Sequence, residues 1–131
     1  VKKLQIEARI IGDMCLNHVI PAAVRYQNIL IENVKGMKDI FGDDYLNYCA
    51  SEIETLKKIS AYINNVSADV EGLVEARKKA NRIEAIAERA KVYSYEVKDM
   101  MEKVRMNADN LEMLIDDEVW PLPKYRELLF F

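Results

Sequence analysis

Cys15 and His18, three residues apart in a stretch that reads as helix, are the one pair of side chains in this sequence with the types and spacing of zinc ligands. Zinc takes three or four such donors, and beyond the pair the chain offers Cys49 and scattered carboxylates. The pair therefore reads as a core cysteine and a hydrogen-bonded histidine beside a proline. No Glu-x-x-His pair is present, which excludes the di-iron carboxylate site of helical bundles. Nor does the sequence assemble an acid, a base and a nucleophile around His18. Asp43-Asp44 and Asp116-Asp117 fall at the ends of helical patterns, where capping explains the first pair and a solvated end the second. No GxxxxGKS/T phosphate loop occurs. Arg77, Lys78, Lys79 and Arg82 form a short basic run without interleaved aromatics, the mark of a solvated helix end. The residues thus supply no catalytic, cofactor-binding or metal-binding set.

A chain of 131 residues makes one domain large enough for a real core. Half of them are hydrophobic and 31% charged, with four glycines and three prolines, a composition suited to an all-α protein. A net charge of −3 argues against a broad electrostatic hold on nucleic acid or an anionic membrane. No apolar run approaches the roughly 20 residues of a membrane span, and no signal peptide is visible. Two cysteines make no disulfide framework and suit a reducing cytoplasm. Helical periodicity starts at Val1 without a cap, so residues 1–131 read as a single helical domain cut from a longer chain.

Leu4, Ala8, Ile11 and Cys15 recur at helical steps, and the pattern resumes beyond Pro21 with Val24, Ile31, Val34 and Met37. A proline there removes a hydrogen bond and crowds the preceding turn, which predicts a kink between Asn17 and Pro21. Ala22 to Leu30 is apolar on more than one side, and so is expected to be covered on more than one face. Gly42 is expected to end this helix in a left-handed conformation, with Asp43 or Asp44 capping the next. The second helix carries Leu46, Cys49, Ile53, Leu56, Ile59, Ile63, Val66, Val70 and Leu73, with Glu54–Lys58 and Glu75–Lys79 as surface pairs. A break near Ala80, with Asn81 and Glu84 as a capping box, separates it from a third helix. That helix bears a heptad of Ile83, Ile86, Ala90, Tyr93, Val97, Met100, Val104, Asn107, Leu111 and Leu114. Asn107 is expected to reach the edge of the seam. After Trp120, Pro121 and Pro123 impose extended backbone, and Leu128-Leu129-Phe130-Phe131 is expected to pack on the helices or on the rest of a parent protein. The expected architecture is an antiparallel bundle of three long helices, the first kinked at Pro21, with a Pro-containing C-terminal tail.

Two stretches are more specific than this architecture requires. One is Asn17-His18-Val19-Ile20-Pro21-Ala22-Ala23-Val24-Arg25-Tyr26-Gln27-Asn28, continuing through Leu30-Ile31-Glu32-Asn33-Val34-Lys35-Gly36. The other is Leu122-Pro123-Lys124-Tyr125-Arg126-Glu127-Leu128-Leu129-Phe130. Together with Gln5-Ile6-Glu7-Ala8-Arg9 they resemble the C-terminal region of type III glutamine synthetases. The resemblance implies a non-catalytic part of a cytoplasmic ATP-dependent glutamate–ammonia ligase. In that family ATP and divalent metal (Mg or Mn) are held in domains that precede this region. The implied partners are the catalytic domain of the same chain and neighbouring subunits of a homo-oligomer, and the expected role is support of fold or assembly. The alternative is a free-standing coiled-coil interaction module that binds a partner helix through Ala22 to Leu30.

Overall fold

The computed structural model describes residues 2–120 of the chain. The Pro-containing tail expected after Trp120 lies outside the described residues. Those residues are all-helical and contain no strand, in three long helical segments. The first joins α1 (Lys2–Met14) to α2 (Ile20–Phe41), the second is α3 (Leu46–Asn81), and the third joins α4 (Ile86–Val92) to α5 (Lys98–Leu114).

The first segment passes from α1 to α2 through one π-helical turn, Cys15–Val19, in which the Ile20 N–H donates to the Cys15 carbonyl five residues back. Pro21 sits in the first turn of α2. A proline cannot donate to the carbonyl four residues earlier and its ring crowds that oxygen, so a widened turn directly before it relieves both problems. A second π turn, Tyr93–Val97, joins α4 to α5 with no proline nearby.

α3 is the central element and packs against both α2 and α5, while α1 packs against α3 and α5. Gln27 donates to Ser60 Oγ at 2.8 Å, and Asn33 to the Glu52 carboxylate at 2.6 and 2.8 Å. As the α2 number rises, the α3 number falls. The third segment meets α3 the same way: Asn107 donates to Asp69 Oδ2 at 2.6 Å, and Lys79 pairs with Glu96 at 3.2 Å. That register sets Leu114, the end of α5, near Tyr62, and the two do line a shared groove. Among the described residues the first half of α3 therefore pairs with α2 alone, as a two-helix arm.

The core follows from this arrangement. Ala8, Ile11, Cys15, Val19 and Ala23 of the first segment meet Ile59, Val66, Val70 and Leu73 of α3 and Tyr93, Val97, Met101, Val104 and Leu111 of the third. In the arm few residues are fully buried, and Ile29 and Ile40 are 54% and 74% exposed. The expected cover on several faces of Ala22 to Leu30 is thus present over Ala22 and Ala23 and missing at Val24 and Ile29.

Several local expectations are corrected. Neither Asp43 nor Asp44 caps α3: a short 3-10 turn occupies Gly42–Asp44, and the Asp44 carboxylate accepts from the Asn47 amide instead. Asn81 and Glu84 form no capping box, because Asn81 still belongs to α3 and Ala85 precedes α4 without a side-chain cap. Asn81 instead accepts a hydrogen bond from the Tyr93 hydroxyl. Lys57 rather than Lys58 pairs with Glu54, and Lys79 turns to Glu96 across the helices rather than to Glu75. Asn107 does not simply reach the edge, since its amide crosses to α3.

The arm is closed at its tip by Gly42, whose φ of +61° and ψ of −134° suit glycine and no side-chain-bearing residue. Beside it Phe41 stacks on Tyr48 at 4.0 Å between ring centroids, and the Lys38 ammonium lies 5.5 Å from the centre of the Tyr45 ring. Gly36, by contrast, lies within α2, and an added Cβ there meets nothing within 4 Å. The two glycines therefore respond oppositely to alanine. Gly42→Ala is expected to lower the denaturation midpoint by the equivalent of about 1–3 kcal/mol. Gly36→Ala is expected to raise it by about 0.5–1 kcal/mol through helix propensity and a less flexible unfolded chain. Urea melts of the two variants check both signs.

Candidate functional site

The π turn brings Cys15 and His18 onto different surfaces. Cys15 is buried among the core residues, while His18 is exposed. Burial pushes the Cys15 thiol up to about 11, so it stays protonated at neutral pH and is a poor nucleophile and metal ligand. Cys49 is also buried, at a point where α3 leaves helical geometry, and its thiol donates to the Tyr45 carbonyl at 3.2 Å. Among the described residues no three of His, Cys, Asp and Glu come together as a metal site. The four glycines stand singly, two within α2 and α3, and build no phosphate cradle.

Several of the other candidate polar groups have structural partners. Asp116 closes the end of α5: its carboxylate accepts from the Glu118 N–H at 2.9 Å, and its carbonyl from the N–H groups of Val119 and Trp120. In the basic run, Arg82 Nε donates to the Lys78 carbonyl at 3.3 Å, and Lys79 holds Glu96. No described helix is long and apolar enough to cross a membrane.

Grooves open between the described helices. A groove of about 430 Å³ lies between Lys58, Ala61 and Tyr62 of α3 and Asn110, Met113 and Leu114 of α5. A second, of about 410 Å³, runs between α1 and α5 and includes Trp120 in its lining. Its rim carries Asp109, whose carboxyl is held above its ordinary value of 3.8 by desolvation first and by the neighbouring Glu112 second, with Arg105 opposing both. A raised folded-state pKa means that the native chain binds the proton more tightly, so this stability is present in acid and lost as pH rises past 3.8. Asp109→Asn is therefore expected to be more heat-stable than the parent at neutral pH and no more stable well below that value. The gain is small, because Asp109 is exposed and screened. Thermal melts at the two pH values check it. Nothing in the sequence marked this groove, because its walls come from opposite ends of the chain.

Fold and grooves together define an all-α domain of long packed helices. Sequence comparison narrows the class. The family described as "Glutamine synthetase C-terminal domain" matches residues 1–38. A glutamine synthetase of Bacteroides fragilis is 47% identical over 129 residues, which cover 98% of this chain and 18% of that protein. The type-3 glutamine synthetase of Dictyostelium discoideum and a glutamine synthetase of Butyrivibrio fibrisolvens are each 27% identical over 98% of the chain. The chain belongs to the family of glutamine synthetase C-terminal domains, with the type-3 form among its relatives. It spans about 18% of the length of the relatives it matches.

Proposed function

We propose that the chain is the non-catalytic C-terminal helical domain of a cytoplasmic type III glutamine synthetase and supports the fold or the oligomeric assembly of that enzyme. In this reading it is an antiparallel bundle of three helices, bent at Pro21, that packs against the catalytic domain of its own chain and against neighbouring subunits. ATP and Mg or Mn belong to the catalytic part of the parent, which performs the ligation of ammonia to glutamate. The observation that carries the proposal is the 98% coverage of this chain by relatives of which it forms only 18%. The two-helix arm supports it further. Val24, Ile29, Ile31, Ile40 and Leu46 are exposed there, aliphatic surface that a catalytic domain or a neighbouring subunit can cover. The buried Cys15, whose thiol burial pushes up to about 11, supports the non-catalytic part of this reading.

Deleting residues 1–131 from the parent enzyme tests this reading, with native mass and glutamine synthesis as the two readouts. Loss of both from a protein that stays soluble supports an assembly role. Normal mass and full activity would sink it and leave partner binding or regulation in its place.

A further inference from the structure

The arm has two sides, and one of them is continuous with a groove. Ile29 and Ile40 lie about three helical turns apart on one face of α2, and both are exposed. Asn33 sits between them on that face and donates to Glu52 of α3. One turn from Glu52 toward the tip is Tyr48, 53% exposed and stacked on Phe41. This side therefore runs over both helices and ends in an aromatic tip. From Tyr48, steps of three and four along α3 pass Ser51 and Thr55 and reach Lys58 and Tyr62, which line the groove where α5 stops. Val24, Ile31 and Leu46 belong to the other side of the arm, which the Gln27–Ser60 bond marks.

We propose that the Ile29–Ile40–Tyr48 side pairs with the same side of a second copy of this chain. The two arms lie antiparallel, close into a four-helix bundle, and seat each tip in the other's groove. A two-fold contact needs a self-complementary patch, and this chain carries both halves of one. The tip presents Ile40 and the Phe41–Tyr48 stack, and the groove of about 430 Å³ offers Ala61, Tyr62, Met113 and Leu114. Reach agrees, because α3 rises about 24 Å from Leu46 to Tyr62, so an arm laid antiparallel on its twin spans from one groove to the other. Charge selects the antiparallel arrangement. Asp39, Asp43 and Asp44 surround Gly42 at the tip, where the nearest cation, Lys38, already lies over the Tyr45 ring. The one charged residue in the described lining of the groove is Lys58. Parallel arms would set acids against acids, whereas antiparallel arms bring them to Lys58. A face about 24 Å long and two helices, or about 20 Å, wide covers on the order of 500 Å² per copy, about 1,000 Å² in total, which reaches the size of a specific interface.

In the intact parent enzyme, Ile40→Cys is combined with Met113→Cys and oxidised mildly, and the disulfide is mapped by non-reducing peptide mass. Both positions are strongly exposed, at 74% and 85%, so the fold tolerates the replacements. Within one chain the length of the arm separates them far beyond the roughly 7 Å limit between bridged Cα atoms, so a disulfide between them joins two chains. The expected yield is severalfold above that of a control pairing Ile40→Cys with Ile86→Cys, where Ile86 is equally exposed but lies beyond the far end of α3. A yield no higher than the control, as when the catalytic domain covers this side, overturns the proposal, and so does a predominant bond between two copies of position 40. Charge reversal gives a second measure. Lys58→Glu is expected to lower the yield at least twofold, and Asp43→Lys in the same chain to restore it; a yield unmoved by both overturns the proposal. Arm pairing rests on the assembly role, and the two fail differently. Loss of native mass on deleting residues 1–131, with no bond between positions 40 and 113, keeps the assembly role and removes the pairing. Normal mass and activity after that deletion sink the assembly role itself.

Discussion

Tyr93→Ala is expected to cost about 3–5 kcal/mol, the largest loss from any single truncation in this domain. Tyr93 has no solvent exposure and lies in the π turn that joins α4 to α5, where its ring packs into the shared core. An aromatic side chain buries about 150–250 Å² on folding, and alanine replaces most of it with a cavity that three packed helices cannot collapse. The hydroxyl adds a directional element, because it donates to Asn81 at the last turn of α3 and so ties the end of one helical segment to the start of the next. Tyr93→Phe separates the two contributions. It keeps the ring and removes the bond, and because Asn81 is exposed its amide turns to water, so the expected cost is only about 1 kcal/mol. Against a typical domain stability of about 5–15 kcal/mol, the alanine variant sits near the edge of folding and the phenylalanine variant does not. Urea denaturation followed by circular dichroism distinguishes them.

The three helical segments were legible because apolar residues at steps of three and four name a buried stripe whatever covers it. Leu73, Val97, Val104 and Leu111 were placed in the core on that ground, and all are buried. The tip of the arm was legible through Gly42, since a positive φ demands glycine, although the carboxylates beside it took other partners. Periodicity does not say which helix covers a stripe. That is why the groove between α1 and α5, with Trp120 in its lining, left no mark in the sequence. It also does not say how far cover extends. Leu46, Val24 and Ile31 continue their stripes into the arm, where α5 has ended and water takes its place. Surface ion pairs were equally beyond reach, because Lys79 had acids available on two helices and the fold decided for Glu96.

Phase was the other thing the pattern held only in part, and the departure at Met100 sets the second large effect. A strict heptad through the third segment places Ile86 and Met100 in the seam. The structure leaves Ile86 80% exposed and Met100 half-buried, and seats Met101 in the core at 2% exposure. Ile86 opens α4 ahead of the π turn at Tyr93–Val97, so that turn, whose donors bond one residue further back, bears on Met100 and Met101 and not on Ile86. From Val97 the buried positions are Met101, Val104, Leu111 and Ile115, so the heptad holds at Val104 and Leu111 and gives way to the next residue at Met100 and Leu114. Met100 instead lies over Gly72, where an added Cβ would fall 2.5 Å from its terminal methyl. Met101→Ala is therefore expected to cost about 2–5 kcal/mol, the range for a fully buried methionine. Met100→Ala is expected to cost clearly less, and Ile86→Ala is expected to stay within about 0.5 kcal/mol of the parent, as exposed substitutions do. The order of the three urea midpoints decides the register. A larger loss at Met100 than at Met101 would put Met100 in the core, as the heptad has it, whereas the predicted order seats Met101 there.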